Sequence, residues 1–427
     1  YKRQGWTGNG VEPWGLQPDP IAADGNLFFR GFFNLLLSTY SYVSGDDKWE
    51  RPFQMTGYQN RLFDWTQHSI TKFIEDQWSE RPQGAHCENT KVWPYCLSAA
   101  GLSLQLYDKV FSASSHWVYD RWIDYAKQHF VTRGRGGDIE SFAFYYDPLE
   151  KVAYTMPDKL AAYGTLAPLF YLYPQAPEFG QELYESGIRQ LGWNQRSATF
   201  VQAIDDPRWF SLVLMLAREL GDVTTENRLA SIAEREYGEN FFGDDPDRFA
   251  WQFGIDEPYP RGQLNGLMIL SEVGDKGAWT DVYRGDYRPQ FDLPTVEGVD
   301  YPILGISEAV NDADTGTLFV SSYAATNASR GQETRWRVSQ LPDAASVQVY
   351  CGDSLYPDWK VLDNNRIEID STVDSHAFRI VWQAADGVHR SDSTATQATQ
   401  QPARVSSTSR SNTTSYRPAA PPSCACC

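Results

Sequence analysis

His86, Cys87, Glu88 and Cys96 bring an imidazole, two thiols and a carboxylate together just ahead of the small residues Ser98, Ala99, Ala100 and Gly101. Pro94 suits the first turn of a helix, where its missing N–H costs nothing, so Cys87 is expected on a loop and Cys96 about one turn into that helix. Both thiols could then reach one cavity. A free thiol is roughly a few per cent thiolate at neutral pH, enough to shuttle a proton or attack an electrophile. Glu88 adds a carboxylate able to tune it. The same spacing also suits a local disulfide closing a loop, or two apolar cysteines buried in a core. A zinc site fits poorly, because only His86 lies nearby and no second Cys or His pair follows at ligand spacing.

Aromatic residues make up 14% of the chain, with 15 Trp, 24 Tyr and 22 Phe, more than a core rich in aliphatics requires. Ring faces carry negative charge density and can stabilise a passing carbocation, which makes Phe28, Phe29, Phe32, Trp93 and Tyr95 candidates for a pocket wall. Core packing accounts for any one of them equally well. The acidic clusters Asp138/Glu140, Asp147, Asp205-Asp206 and Asp256-Glu257 fall in loops, where a carboxylate pair could serve glycoside hydrolysis or merely be solvated. Arg261, after Tyr259-Pro260, could pair with one of them. With 55 acidic against 37 basic residues the net charge is −18, which excludes nonspecific binding to nucleic acid.

The elements that must position these groups are mainly helical. Apolar residues recur at helical spacing near 26–43, 58–78, 93–111, 115–129, 158–173, 178–190, 209–221, 224–237 and 261–273, with a shorter element near Trp279. Strand-like inserts at 141–155 and 249–255 interrupt them. Helical hairpins joined by short turns bury both faces of an inner layer by closing into a ring, usually of six, so an (α/α)6 toroid is expected over 1–290. About one hairpin is missing. Because the chain opens at Tyr1 without Met, the toroid is expected to be incomplete at its N-terminus.

From 291 to 383 short β-rich runs predict a small antiparallel β domain, with Cys351 packed on one of its strands. From 384 to 427 Ser, Thr, Gln, Ala and Pro dominate, and a disordered tail is expected. Six Cys in 427 residues exclude a disulfide scaffold. No run of 18 apolar residues occurs, since Arg30 and Asn34 interrupt the best candidate, Leu27 to Leu37. Membrane association would need an upstream segment or lipidation of Cys424, Cys426 or Cys427.

The pair Cys87-Glu88, followed nine residues after the first Cys by Cys96 and a helix ending Leu106-Tyr107-Asp108, resembles the catalytic region of the linalool dehydratase-isomerase family. Asp19-Pro20-Ile21, Gly31-Phe32-Phe33-Asn34-Leu35, the hairpin from Phe142 to Asp147 and Leu216-Ala217-Arg218-Glu219-Leu220-Gly221-Asp222 extend the similarity over roughly 2–273. The resemblance implies a six-hairpin (α/α) barrel without a cofactor, a homo-oligomer, and catalytic roles for Cys87, Glu88 and Cys96. Phe32 stands where the family has an active-site His, and Phe28 where it has a pocket Met, which points to a larger or less hydroxylated substrate. The family's catalytic Asp and Tyr would lie upstream of Tyr1.

Losing water from an allylic alcohol needs a proton donor at oxygen, an acceptor at a neighbouring carbon and an apolar wall. The expected function is therefore cofactor-independent dehydration, isomerisation or cyclisation of a terpenoid or isoprenoid alcohol, a small apolar substrate. Two alternatives stay open: a carbohydrate-active hydrolase or lyase on a six-hairpin barrel, and a noncatalytic terpenoid-binding relative.

Overall fold

Pro94 begins a helix that is buried on almost every side, and the rest of the N-terminal unit is arranged around it. The computed structural model describes residues 17–87, 91–157, 159–193, 207–237, 239–241, 249–251, 261–285 and 292–382. Its helices are α1 Leu27–Ser44, α2 Gln67–Ser79, α3 Pro94–Phe111, α4 Trp117–His129, α5 Lys159–Leu166, α6 Leu169–Leu172, α7 Pro177–Gln190, α8 Pro207–Leu220, α9 Val223–Glu236, α10 Arg261–Val273 and α11 Ala278–Arg284.

The tightest seam joins α1 to α3. A Cβ on Gly31 would stand 3.1 Å from the Cβ of Ala100, so glycine lets the two backbones approach. Three residues on, the buried Asn34 amide donates to Ser103 Oγ at 2.9 Å, fixing the register. Gly101 makes the same allowance for α4, because a Cβ there would collide with the Tyr119 ring. Gly101→Ala is therefore expected to destabilise the fold by about 1–3 kcal/mol, read as a lower urea midpoint with an unchanged slope.

Carboxylates set the turns between helices. Asp108 accepts from Ser115 N and His116 N, each at 2.8 Å, and so fixes the start of α4. Glu219 accepts from Trp279 N and Thr280 N, both at 2.9 Å, at the head of α11. Asp222 caps α9 through Thr225 N at 3.1 Å. Beyond α11, Gly285 O accepts from Tyr42 Oη at 2.9 Å and Lys109 Nζ at 2.7 Å, tying the end of the helical series to α1 and α3.

Two expected helices differ. The run 58–78 begins not as helix but as the second half of an antiparallel hairpin, Phe53–Thr56 against Leu62–Trp65. Gln59 and Asn60 sit at φ 55° and 58°, left-handed values that a helix cannot continue through, and α2 starts only after Thr66, whose hydroxyl accepts from Ser69 N at 3.0 Å. The run 158–173 is split into α5 and α6 at Pro168, which lacks the N–H a continuous helix would use. The insert near 141–155 is two hairpins rather than one: Val131–Arg133 with Ile139–Phe142, and Tyr145–Asp147 with Val152–Tyr154.

Chain contacts divide the protein after Glu297, with Val338–Gln340 grouped with the first unit. The second unit contains an antiparallel five-stranded sheet in the order Leu304–Asp312, Thr317–Ala324, His376–Val381, Gln348–Cys351, Ser354–Leu355. In a second sheet Arg366–Thr372 lies between Trp359–Asp363 and Glu333–Ser339. Trp336, Val349, Ile367, Ile369, Phe378 and Ile380 are all buried. Cys351 lies on its expected strand, half-buried, with Sγ 3.9 Å from His376 Nδ1. The tail from 384 onward, with Cys424, Cys426 and Cys427, lies outside the described residues. Among those described, no helix is long and apolar enough to cross a membrane.

Candidate active site

The loop carrying Cys87 is clamped at several points. Cys87 N donates to Lys91 O at 2.8 Å, closing a tight turn, and Val92 exchanges two 2.8 Å backbone hydrogen bonds with Tyr146. Lys91 Nζ pairs with Asp147, which is buried at the start of the turn after Tyr146. Asp147 also accepts from Leu149 N at 2.9 Å and Glu150 N at 3.2 Å. Burial pushes this carboxyl's pKa up, but the Lys91 bond and the two amides outweigh it and hold the value below the usual range.

The same loop supplies the cap of α1. Asn26, at the cap position, spends its side chain on Pro20 O at 2.7 Å instead. The first free amides of the helix turn to the loop: Leu27 N donates to His86 O at 3.3 Å and Phe28 N to Cys87 Sγ at 3.2 Å. The sulfur thus sits at the positive end of the helix. Cys87 is 1% and Cys96 6% exposed, and both are free thiols, which removes the disulfide reading. Glu88 lies outside the described residues.

Behind Cys87 is a charged group that no sequence spacing announced. Asp24 takes Arg81 in a bidentate pair at 2.8 and 3.0 Å, and His86 Nδ1 stands 3.7 Å from the same carboxylate. Burial opposes the Asp24 charge, yet Arg81, His86 and Arg30 together hold its pKa below the usual value. Burial, reinforced by Arg81, lowers that of His86, with Asp24 opposing.

These three shifts act in one direction on stability. As pH falls below about 6.5 the unfolded chain protonates its histidine before folded His86 does, and below about 4 it protonates its carboxyls before Asp24 and Asp147. The urea midpoint is expected to decline from pH 7 downward. Asp147→Asn should flatten the part of that decline below pH 4, and an equally steep acid limb in the variant would refute the assignment.

Cys96 faces rings. Phe28 and Phe32, one turn apart on α1, stand 5.0 Å centre to centre. Phe32 meets Tyr95 at 5.8 Å and Tyr171 at 5.5 Å, and Tyr95 meets Tyr171 at 5.4 Å. Burial raises the Tyr171 pKa, with Tyr95, Tyr283 and Cys96 adding to the effect, so this phenol is a neutral neighbour of the second thiol. Tyr171, inside an expected helix but not singled out by its spacing, completes the cluster.

Two expected wall residues point elsewhere. Phe29 stacks on Phe33 at 5.9 Å, and Phe33 leads on to Phe53. Trp93 packs against Phe144 at 5.1 Å and Tyr145 at 5.2 Å, at the hairpin that clamps the loop. Of the acidic clusters, Asp138 and Glu140 are exposed on their loop, while Asp147 is committed to Lys91. Asp205, Asp206, Asp256 and Glu257 lie outside the described residues, as does the side chain of Arg261 at the head of α10.

A family model described as linalool dehydratase/isomerase matches residues 5–243. Among solved structures, the chain is similar to a family 105 glycoside hydrolase of C. acetobutylicum ATCC 824, with 10% identity and a TM-score of 0.31 over 62% of this chain and 95% of that one. A GH127 β-L-arabinofuranosidase from Geobacillus stearothermophilus T6 matches at 9% identity and a TM-score of 0.27, over 84% of this chain and 73% of that one. The endoglucanase CelQ of Clostridium thermocellum, complexed with cellotriose, matches at 10% identity and 0.21, over 86% and 85%.

Proposed function

The chain belongs to the linalool dehydratase/isomerase family, and from that premise we propose that it is a cofactor-independent lyase or isomerase of a terpenoid or isoprenoid alcohol. The observation that carries this reading is the placement of two free, buried thiols in unlike surroundings. Cys87 accepts the Phe28 amide at the N-terminus of α1, while Cys96 adjoins the Tyr95–Tyr171 pair. The first setting favours negative charge on sulfur, so Cys87 is the proton acceptor. Cys96, among neutral rings, is the donor.

The reaction then balances with these two groups. Cys96 gives its proton to the substrate hydroxyl, the C–O bond breaks with its electron pair going to oxygen, and water leaves. The allylic cation that forms is stabilised by the faces of Phe28, Phe32, Tyr95 and Tyr171. The Cys87 thiolate removes a proton from the neighbouring carbon, whose C–H electrons become the new double bond. Proton return from Cys87 to Cys96 resets the site. Re-addition of water at the other end of the allyl system gives isomerisation, and capture by a distal double bond gives cyclisation. We take the helices to close as a six-hairpin (α/α) toroid, which the ties from Gly285 back to α1 and α3 support.

The test is incubation of the full chain with a panel of isoprenoid alcohols, with and without a small thiol-alkylating reagent. Turnover that alkylation abolishes supports the proposal. Binding without turnover across the panel, or glycoside cleavage indifferent to alkylation, would replace it.

A further inference from the structure

We propose that Arg30 is a positioning residue that holds negative charge on the Cys87 sulfur; the inference rests on the reading of Cys87 as the proton acceptor. Arg30 is fully buried on α1, on the same first turns whose Phe28 amide donates to that sulfur. Its Nη1 donates to Ile21 O at 3.2 Å and Ala23 O at 2.6 Å, its Nη2 to Gln77 Oε1, and its guanidinium lies 5.4 Å from the Phe73 ring centre. All these partners are neutral. Nε has no hydrogen-bond partner among the described residues.

A buried cation without a counter-charge is costly, and the nearest carboxylate is already taken. Both oxygens of Asp24 are bound by Arg81, so two guanidiniums share one carboxylate. The other groups facing this cluster do not close the deficit. Burial keeps His86 toward its neutral form, Lys91 and Asp147 neutralise each other across the loop, and Cys96 lies with the tyrosines. The cluster is therefore one negative charge short. Burial draws the Arg30 pKa down to about 10, and the groups that oppose this are the charges of Asp24 and Cys87. A thiolate at Cys87, met by the Phe28 amide on one side and the guanidinium on the other, supplies the missing charge.

A residue that only braces α1 against the 21–23 turn and α2 would stabilise the fold without biasing the thiol. Thiolate absorbance near 240 nm separates the two roles and needs no substrate. The signal of Cys87 is taken as the difference between the protein and its Cys87→Ser variant, titrated from pH 5 to 9. Arg30→Gln is expected to move the midpoint up, and Asp24→Asn, which removes the competing anion, to move it down, each by about one pH unit or tenfold in thiolate at fixed pH. Arg30→Lys should restore most of the signal. Opposite shifts from the two variants establish the role, because a bracing residue gives none. Should Arg30→Gln fail to fold, the Asp24→Asn shift decides alone. An unmoved midpoint in folded Asp24→Asn, or an unmoved one in folded Arg30→Gln, overturns the proposal. Midpoints that move in a protein inactive on every alcohol tested would leave the Arg30 inference standing and sink the proposed reaction instead.

Discussion

Cys96→Ala is expected to lower kcat on an isoprenoid alcohol by about 10²- to 10⁴-fold, the range over which a positioned general acid acts, corresponding to about 3–5 kcal/mol of transition-state stabilisation. The substitution removes one sulfur from a buried position beside Tyr95 and Tyr171, and the hydroxyl of the substrate then loses its proton donor. Packing alone cannot mimic such a loss. Deleting so small a group from a core costs stability of about 1–2 kcal/mol, which the folded protein absorbs without a matching fall in rate. Cys87→Ala should fall in the same range, and the double variant should be little worse than either single one, since acid and base serve the same step. Cys351→Ala, on a strand of the β unit, serves as the control and should keep full activity. Residual activity within about threefold in Cys96→Ala would remove it from the reaction.

What the sequence made legible follows the range of its local signals. The spacing from Pro94 places Cys96 one turn into a buried helix, and the coordinates have it there because Pro suits the first turn and the small residues let the neighbouring helices close in. Periodicity failed where single residues override it. Gln59 and Asn60 turn the chain left-handed within an apolar pattern that reads as helical, and Pro168 splits another. Phe29 was grouped with Phe28 and Phe32, yet adjacent helical residues diverge by about 100°, and only the pair spaced by four shares a face with Tyr95.

The charged group behind Cys87 shows a different limit. Asp24 and Arg81 are 57 residues apart, and nothing local to either predicts the pairing. Arg30 reads as an interruption in an apolar run, whereas its side chain is fully buried against backbone carbonyls. Likewise the stretches that carried the family resemblance outside the cysteines turn out to hold helices together. Asp19 accepts from Ile21 N at 2.8 Å and Ala22 N at 3.2 Å, Gly31 permits the α1–α3 contact, Asp108 sets α4, and Glu219 and Asp222 set α11 and α9. In those stretches the named residues act on the scaffold that brings the first turns of α1 to the Cys87 loop.

Lys91→Met is expected to destabilise the protein by about 2–4 kcal/mol and to lower activity more than its loss of stability explains. Asp147 is buried, and removing Lys91 leaves its carboxylate with only the Leu149 and Glu150 amides. The figure lies toward the lower end for a broken buried pair because the Lys91 side chain keeps 23% of its exposure. The loop consequence is separate. Lys91 O holds the Cys87 amide at 2.8 Å, and Val92 next to it pairs with Tyr146, so an unpaired Asp147 loosens the frame that aims the sulfur at Phe28 N. Adding Asp147→Asn removes the stranded charge and should recover at least half of the lost stability, since the residual amide can still accept the two backbone hydrogen bonds. Urea unfolding of the two single variants and the double one reads the coupling directly. Additive losses in that cycle would mean that the ion pair does not clamp the loop, and the placement of Cys87 would have to be credited to the Val92–Tyr146 bridge and the α1 amides alone.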